Sequence, residues 1–176
     1  FAMGTAAATL AGQYIGARRP DLAKRAVLVC TGIAASIMTF LGIVMIVFPH
    51  AITRSFSEQP THIEQVPNLL IICGVIQLPF AVGICLRSAM RGAGDVHAIM
   101  VITWITTYAV RLPFAYVASG VDITLPQWLG GSTITNPVPW EPSLAGLWIG
   151  MCSELIIRSL LFTAYFMRGR WLKAKV

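Results

Sequence analysis

Long apolar runs separated by short polar stretches set the pattern of this chain. Residues 26–48, 68–87, 98–119 and 143–167 each form a run on the order of 20 residues, the length that spans a bilayer core of about 30 Å at 1.5 Å per residue. Each predicts a transmembrane helix. A fifth helix is expected over residues 1–17, where the chain is already apolar at Phe1 and has no initiator Met. That helix reads as cut short at its start, and the chain as a fragment of a longer protein. Gly4, Ala6, Ala7, Ala8, Ala11 and Gly12 leave one side of it nearly bare, the composition that lets membrane helices approach backbone to backbone.

The polar stretches between the runs carry turn chemistry. Arg18, Arg19 and Pro20 mark a membrane exit, and residues 21–25 read as a short interfacial helix with Asp21 at its positive end. Pro49 and Pro67 bracket the next connector, which holds at most an interfacial turn. Residues 86–95 form a tight connection in which Gly92 and Gly94 supply backbone freedom and Asp95 is placed to cap the following helix. Pro126, Pro137, Pro139 and Pro142, with Gly130 and Gly131, preclude a regular helix over residues 120–142. Trp128 and Trp140 there suit an interfacial aromatic belt; an aromatic substrate contact at the outer mouth is the sharper alternative.

Composition narrows the class. Hydrophobic residues make up 56% of the chain and charged residues 11%, with a mean hydropathy of +0.73, which excludes disorder and an ordinary soluble domain. The net charge of +6 does not form a nucleic-acid surface, because the charges cluster at helix ends. Basic excess alternates from loop to loop. Arg18, Arg19, Lys24 and Arg25 oppose only Asp21; Arg54 faces Glu58 and Glu64; Arg87 and Arg91 face Asp95; Asp122 and Glu141 stand alone; Arg168, Arg170, Lys173 and Lys175 close the chain. The positive-inside rule then puts the first loop, the third loop and the C-terminus in the cytoplasm of a multi-pass cell-membrane protein. Cys30, Cys73, Cys85 and Cys152 lie in apolar runs without C-x-x-C or nearby histidines, so they read as small buried hydrophobes and not as metal or disulfide partners.

Three segments together resemble the multidrug and toxic compound extrusion (MATE) transporters: Ala11-Gly12-Gln13-Tyr14-Ile15-Gly16-Ala17 followed by Pro20; Arg91-Gly92-Ala93-Gly94-Asp95; and Gly146-Leu147-Trp148-Ile149-Gly150 leading to Gly169-Arg170-Trp171. Arg111-Leu112-Pro113 adds to them. The resemblance implies an all-α integral membrane fold, with about five helices forming most of the C-terminal lobe of a protein built from two six-helix lobes. The N-terminal lobe would be the missing partner. It also implies export of small amphipathic, often cationic, organic compounds by alternating access, driven by inward H⁺ or Na⁺, with no other cofactor. One sodium-coupled branch of the family has an acid where this chain has Phe80, which favours H⁺ as the coupling ion.

Three fully charged residues lie deep in apolar runs: Arg111, Glu154 and Arg158. An unpaired charge at mid-bilayer costs about 3 kcal/mol or more, so each should face protein or a wet cavity. At 1.5 Å per residue Arg111 lies about 20 Å from the cytoplasmic edge and Glu154 about 15 Å, near enough in height to pair. Glu154 and Arg158 share a helix face at i, i+4. One reading makes the trio an internal ion-pair lock. The other has Glu154 or Arg111 line the pathway and exchange partner or proton during the cycle. Pro79 and Pro113 each remove a helical hydrogen bond and are candidate kinks, and beside Pro79 the side chains of Gln77 and Phe80 offer a polar and an aromatic pathway surface. A plain kink held by neighbouring helices is the alternative.

Other functions fit less well. A lipid-linked precursor flippase of the same superfamily would need a broad cationic cavity. A membrane-embedded enzyme would need a nucleophile with a base, or a metal cluster, at one depth; His50, His62 and His97 sit at helix edges or loops, and neither H-E-x-x-H nor G-x-S-x-G occurs. A passive assembly subunit does not explain three deep charges and two intramembrane prolines.

Overall fold

The computed structural model describes residues 1–124, 131, 133–138 and 144–173. Helix α1 covers Ala2–Gly16, α2 Pro20–Val47, α3 Pro49–Phe56 and α4 Pro60–Gly92. Next come α5 (Val96–Ile105), a π-helical stretch Thr106–Arg111 and α6 (Leu112–Ser119), then α7 (Leu144–Met167) and a 3-10 turn at Arg170–Lys173. A two-residue antiparallel pairing, Ile123–Thr124 with Thr133–Ile134, follows α6. Among the described residues, four helical stretches are long and apolar enough to cross a membrane: Pro20–Val47, Pro60–Gly92, Val96–Ser119 and Leu144–Met167. The 15-residue α1 is about 22 Å long and packs against both α2 and α4.

Small residues are prominent where α1, α2 and α4 meet. The buried side chains include Ala7, Ala11, Ala23, Ala34, Ala81, Ala89, Cys30 and Cys85, while Leu28, Ile33, Ile37, Phe40, Trp104, Tyr108 and Leu112 point outward. Lipid is as apolar as leucine, so the helices gain by close backbone approach rather than by hiding hydrocarbon. A Cβ on Gly92 would run into the backbone oxygen of Ala8, and one on Gly12 would lie 2.9 Å from the oxygen of Gly92. The bareness read along residues 4–12 is therefore the α1–α4 interface. Helix α4 is the hub, touching α1, α2, α3, α5 and α7.

Several helix ends differ from the sequence expectation. No separate interfacial helix spans residues 21–25, because nothing breaks the helix after Pro20 takes its first position; α2 runs unbroken to Val47. The connector expected between Pro49 and Pro67 contains α3, and α4 already begins at Pro60, so Pro67 and Pro79 both lie inside α4. Proline fits the first turn of a helix, where its missing N–H has no partner to lose. The turn expected over residues 86–95 shrinks to three residues after Gly92, with Gly94 at φ 84°. Asp95 makes no side-chain cap. Its Oδ2 instead accepts a 2.7 Å hydrogen bond from the Tyr165 hydroxyl, tying this turn to α7.

The chain also turns back after α7. Gly169, at φ 68°, allows the reversal, and Trp171 is fully buried, stacked on Phe166 at 4.9 Å with its Nε1 donating to the Phe166 carbonyl at 3.1 Å. Near the end of α6, Asn136 donates through Nδ2 to the Tyr116 carbonyl at 2.7 Å and through its backbone N–H to Asp122 Oδ1 at 2.7 Å. The anchoring expected of Trp128 and Trp140, and the parts played by Pro126, Gly130, Pro139, Glu141, Pro142 and Lys175, lie outside the described residues.

Candidate functional site

Pro113 has no N–H to offer Ala109, and the backbone widens just ahead of it. The Leu112 N–H reaches the Thr107 carbonyl, five residues back, which is the π-helical pattern common at functional sites. Successive residues of an α-helix point about 100° apart. The wider turn narrows that angle, and the hydroxyls of Thr106 and Thr107 both face α7. There Arg158 donates from Nε to Thr106 Oγ1 at 3.0 Å and from Nη2 to Thr107 Oγ1 at 2.7 Å. The kink expected at Pro113 is thus a local change of helix type. At Pro79 α4 continues as an α-helix.

Arg158 also forms an ion pair from Nη2 to Oε1 of Glu154, one turn earlier on α7. Glu154 is wholly buried. Its Oε2 has no hydrogen-bond partner among the described residues, an arrangement costly in a low dielectric. Thr103 Oγ1, one turn before the threonine pair, is likewise buried and unpartnered. Arg111 ends the π-helical stretch. It is half-buried and makes no ion pair among the described residues. α6 and α7 run antiparallel with Phe114 against Gly150, which sets Arg111 level with Glu154, but the carboxylate is committed to Arg158. Of the three deep charges, two meet and the third stands apart.

On the other side of α7, Gln77 and Phe80 of α4 line a cavity of about 210 Å³ with Cys73, Trp148 and Cys152. Gln77 Nε2 reaches Met45 Sδ of α2 at 3.6 Å, and Trp148 Nε1 donates to Cys73 Sγ at 3.2 Å. Pro79 and Phe80 also border a second cavity of about 130 Å³ that contains Arg87 and Arg158. Phe80 is therefore a wall between the two. Pro113 borders a separate apolar groove of about 440 Å³ between α6 and α7. Among the described residues no three His, Cys, Asp or Glu side chains converge on a point suited to a metal. Sequence reading missed Thr106, Thr107 and Arg87. Two adjacent threonines in an apolar helix, at the height of a deep arginine on the next helix, were the available signal for the first two.

These features define a multi-pass helical membrane protein with a buried ion pair in its bundle. The chain belongs to the MatE family, whose model matches residues 1–117. It is 27% identical over all 176 residues to the "Probable multidrug resistance protein NorM" of Thermotoga maritima, covering 34% of that protein. It is 28% identical over 132 residues, 74% of this chain and 30% of the relative, to the protein of the same name from Oceanobacillus iheyensis. With the "Multidrug resistance protein MdtK" of Yersinia pestis it shares 23% over 173 residues, 98% of this chain and 34% of the relative. The chain spans about a third of the length of these relatives. Thr106, Thr107 and Arg111 fall inside the stretch matched by the family model, whereas Glu154 and Arg158 fall beyond it.

Proposed function

We propose that these helices make up most of the C-terminal lobe of a multidrug exporter that alternates access with a second, N-terminal lobe, moving amphipathic organic cations out of the cell against inward H⁺ or Na⁺. The relatives named as multidrug resistance proteins support the transport class and argue against an enzyme; the alternation of basic loops supports a cytoplasmic C-terminus in the cell membrane. The observation that carries the mechanism is the buried Glu154–Arg158 pair seated on the π-helical turn. Glu154 has one oxygen held by Arg158 and one with no hydrogen-bond partner. A proton arriving on that second oxygen removes the negative charge, weakens the hold on Arg158 and leaves the arginine to the two threonines alone. A π turn is a rare local departure from the α-helix, so the change in Arg158 shifts which helix type is favoured beside Pro113. H⁺ is preferred over Na⁺ because Arg158 already occupies the cation position beside the carboxylate.

The test is Glu154→Gln, which keeps the shape and an oxygen for Arg158 but not the charge. In proteoliposomes of the two-lobe transporter carrying this substitution, with ethidium as the exported probe and either an imposed pH gradient or an imposed Na⁺ gradient, the variant should insert and accumulate normally yet lose at least ten-fold in export. Full export by the variant defeats the mechanism, and export driven by Na⁺ but not by the pH gradient reassigns the coupling ion.

A further inference from the structure

The turn that joins α1 to α2 is strongly basic. Arg18, Arg19, Lys24 and Arg25 fall within one short stretch whose only acid is Asp21, and Asp21 forms no ion pair among the described residues. Arg18, Arg19 and Arg25 are exposed and Lys24 is half-buried. Backbone hydrogen bonds close the turn: the Arg18 N–H donates to the Ile15 carbonyl at 2.9 Å and the Arg19 N–H to the Tyr14 carbonyl at 2.8 Å. They hold Arg18 at φ 57°, a left-handed position that glycine usually takes because it has no Cβ to crowd. α2 then begins at Pro20 with no linker, so the cations sit on a helix end and not on a free loop.

α2 supplies the other half of the surface. Its buried residues Ala23, Val27, Cys30 and Ala34 belong to the side packed on α1 and α4, while Leu28, Val29, Ile33 and Ile37 are exposed. Arg25 precedes Leu28 and Val29 by one helical turn and shares their face, which puts a guanidinium at the polar end of an apolar stripe. From Leu28 to Ile37 the stripe rises about 14 Å, the depth of one leaflet of a hydrocarbon core about 30 Å thick. Gly32 is exposed as well, and a Cβ there would meet nothing within 4 Å, so the stripe is indented one turn beyond Leu28. Phe1 is at the opposite end of α1, about 22 Å from the turn.

We propose that the α1–α2 turn and the outer face of α2 bind an anionic phospholipid of the cytoplasmic leaflet. Arg18, Arg19 and Arg25 hold the headgroup phosphate, Lys24 adds charge, and an acyl chain lies along the stripe over Gly32. A guanidinium fork matches phosphate oxygens, and basic residues clustered where a helix leaves the bilayer attract anionic lipid. A zwitterionic lipid brings its own cation to the same place and gains less. Loop charge that only sets topology needs no seat for a chain, whereas here cations and apolar stripe are continuous on one helix. The site needs the helices to lie in a bilayer, takes only its leaflet from the orientation proposed above, and does not depend on export.

Binding is therefore read without transport. The two-lobe transporter in dodecyl maltoside is titrated with phosphatidylglycerol and with phosphatidylcholine of the same acyl chains, and bound lipid is counted by native mass spectrometry. Phosphatidylglycerol should bind at least five-fold more tightly. Arg25→Gln should cut that preference at least three-fold and Arg25→Lys should keep most of it, while Arg54→Gln, which removes an exposed cation of α3 at the other end of α2, should leave it unchanged. Arg18→Gly removes a cation and relaxes the turn, so it reads the same loss should Arg25→Gln not fold. Glycerol 3-phosphate, the anion without its chains, should not compete at 100-fold excess. Equal binding of the two lipids overturns the proposal, as does an equal loss in Arg25→Gln and Arg54→Gln, which would leave only general charge attraction. Competition by glycerol 3-phosphate also overturns it and makes the turn a site for soluble phosphate.

Discussion

Replacing Gly74 by alanine tests how closely the bundle depends on glycine contacts between α2 and α4. An ideal Cβ on Gly74 would lie 2.7 Å from the Gly42 carbonyl oxygen and 2.7 Å from Ile46 Cγ1; one on Gly42 would lie 2.6 Å from the Gly74 oxygen and 3.2 Å from Gln77 Cβ. Ordinary carbon–oxygen contacts between packed backbones lie at about 3.3–3.6 Å, so either methyl forces the helices apart by about 0.7 Å at the crossing. A gap of that size forfeits about a quarter to a half of each dispersion contact beside it, and overpacking of this kind costs about 1–3 kcal/mol. The two clashes are reciprocal, so one separation relieves both. Gly74→Ala should therefore lose about 2 kcal/mol, and Gly42→Ala combined with it should add less than about 1 kcal/mol, a strongly non-additive pair. Adding Ile46→Ala should recover little, because the carbonyl remains in the way. Equilibrium unfolding in mixed micelles measures these losses. A Gly74→Ala variant within about 0.5 kcal/mol of the unaltered protein, or a double variant equal to the sum of the singles, would refute the argument. The same displacement moves Gln77 away from Met45, so export should fall with stability.

Two further outcomes follow from the polar contacts. Arg158→Met strands a fully buried carboxylate and should cost about 3–5 kcal/mol; Glu154→Leu should cost less, since Arg158 is 15% exposed and keeps two threonine partners. The double variant should be more stable than Arg158→Met alone, and simple additivity in the same unfolding titration would disprove the buried pair. Tyr165→Phe removes the 2.7 Å hydrogen bond to Asp95 and should cost about 1.5 kcal/mol, with faster amide exchange over residues 93–96; unchanged exchange there would show that the contact does not hold the turn.

Hydropathy located the membrane helices because a bilayer imposes a minimum apolar length, but it could not find where they end. Residues 20–25 and 60–67 are polar or proline-bearing and still helical, since a helix needs only its own hydrogen bonds to continue beyond the hydrocarbon. Nor could periodicity find the inner face. When Ala11, Cys85 and Ala89 are buried while Ile33, Phe40 and Trp104 are exposed, both faces score as apolar, and hydrophobicity alone does not separate them. The i, i+4 spacing of Glu154 and Arg158 was legible because it is a property of one helix. The π-helical turn was not, because Pro113 says that a hydrogen bond is lost without saying how the backbone absorbs the loss.

Arg87 joins these two failures. It sits where an apolar run stops, and a charge there looks like the start of a loop, yet the end of hydrophobicity and the end of a helix are set by different forces. Five more helical residues carry Arg87 inward, and the small faces of Gly83 and Ser159, whose Cβ atoms would be 3.7 Å apart, bring α4 and α7 together beside it. A residue read as ordinary positive-inside charge thereby becomes a half-buried guanidinium on the last turns of α4. Its depth follows from helix length and its surroundings from helix packing, and neither can be read at the position itself.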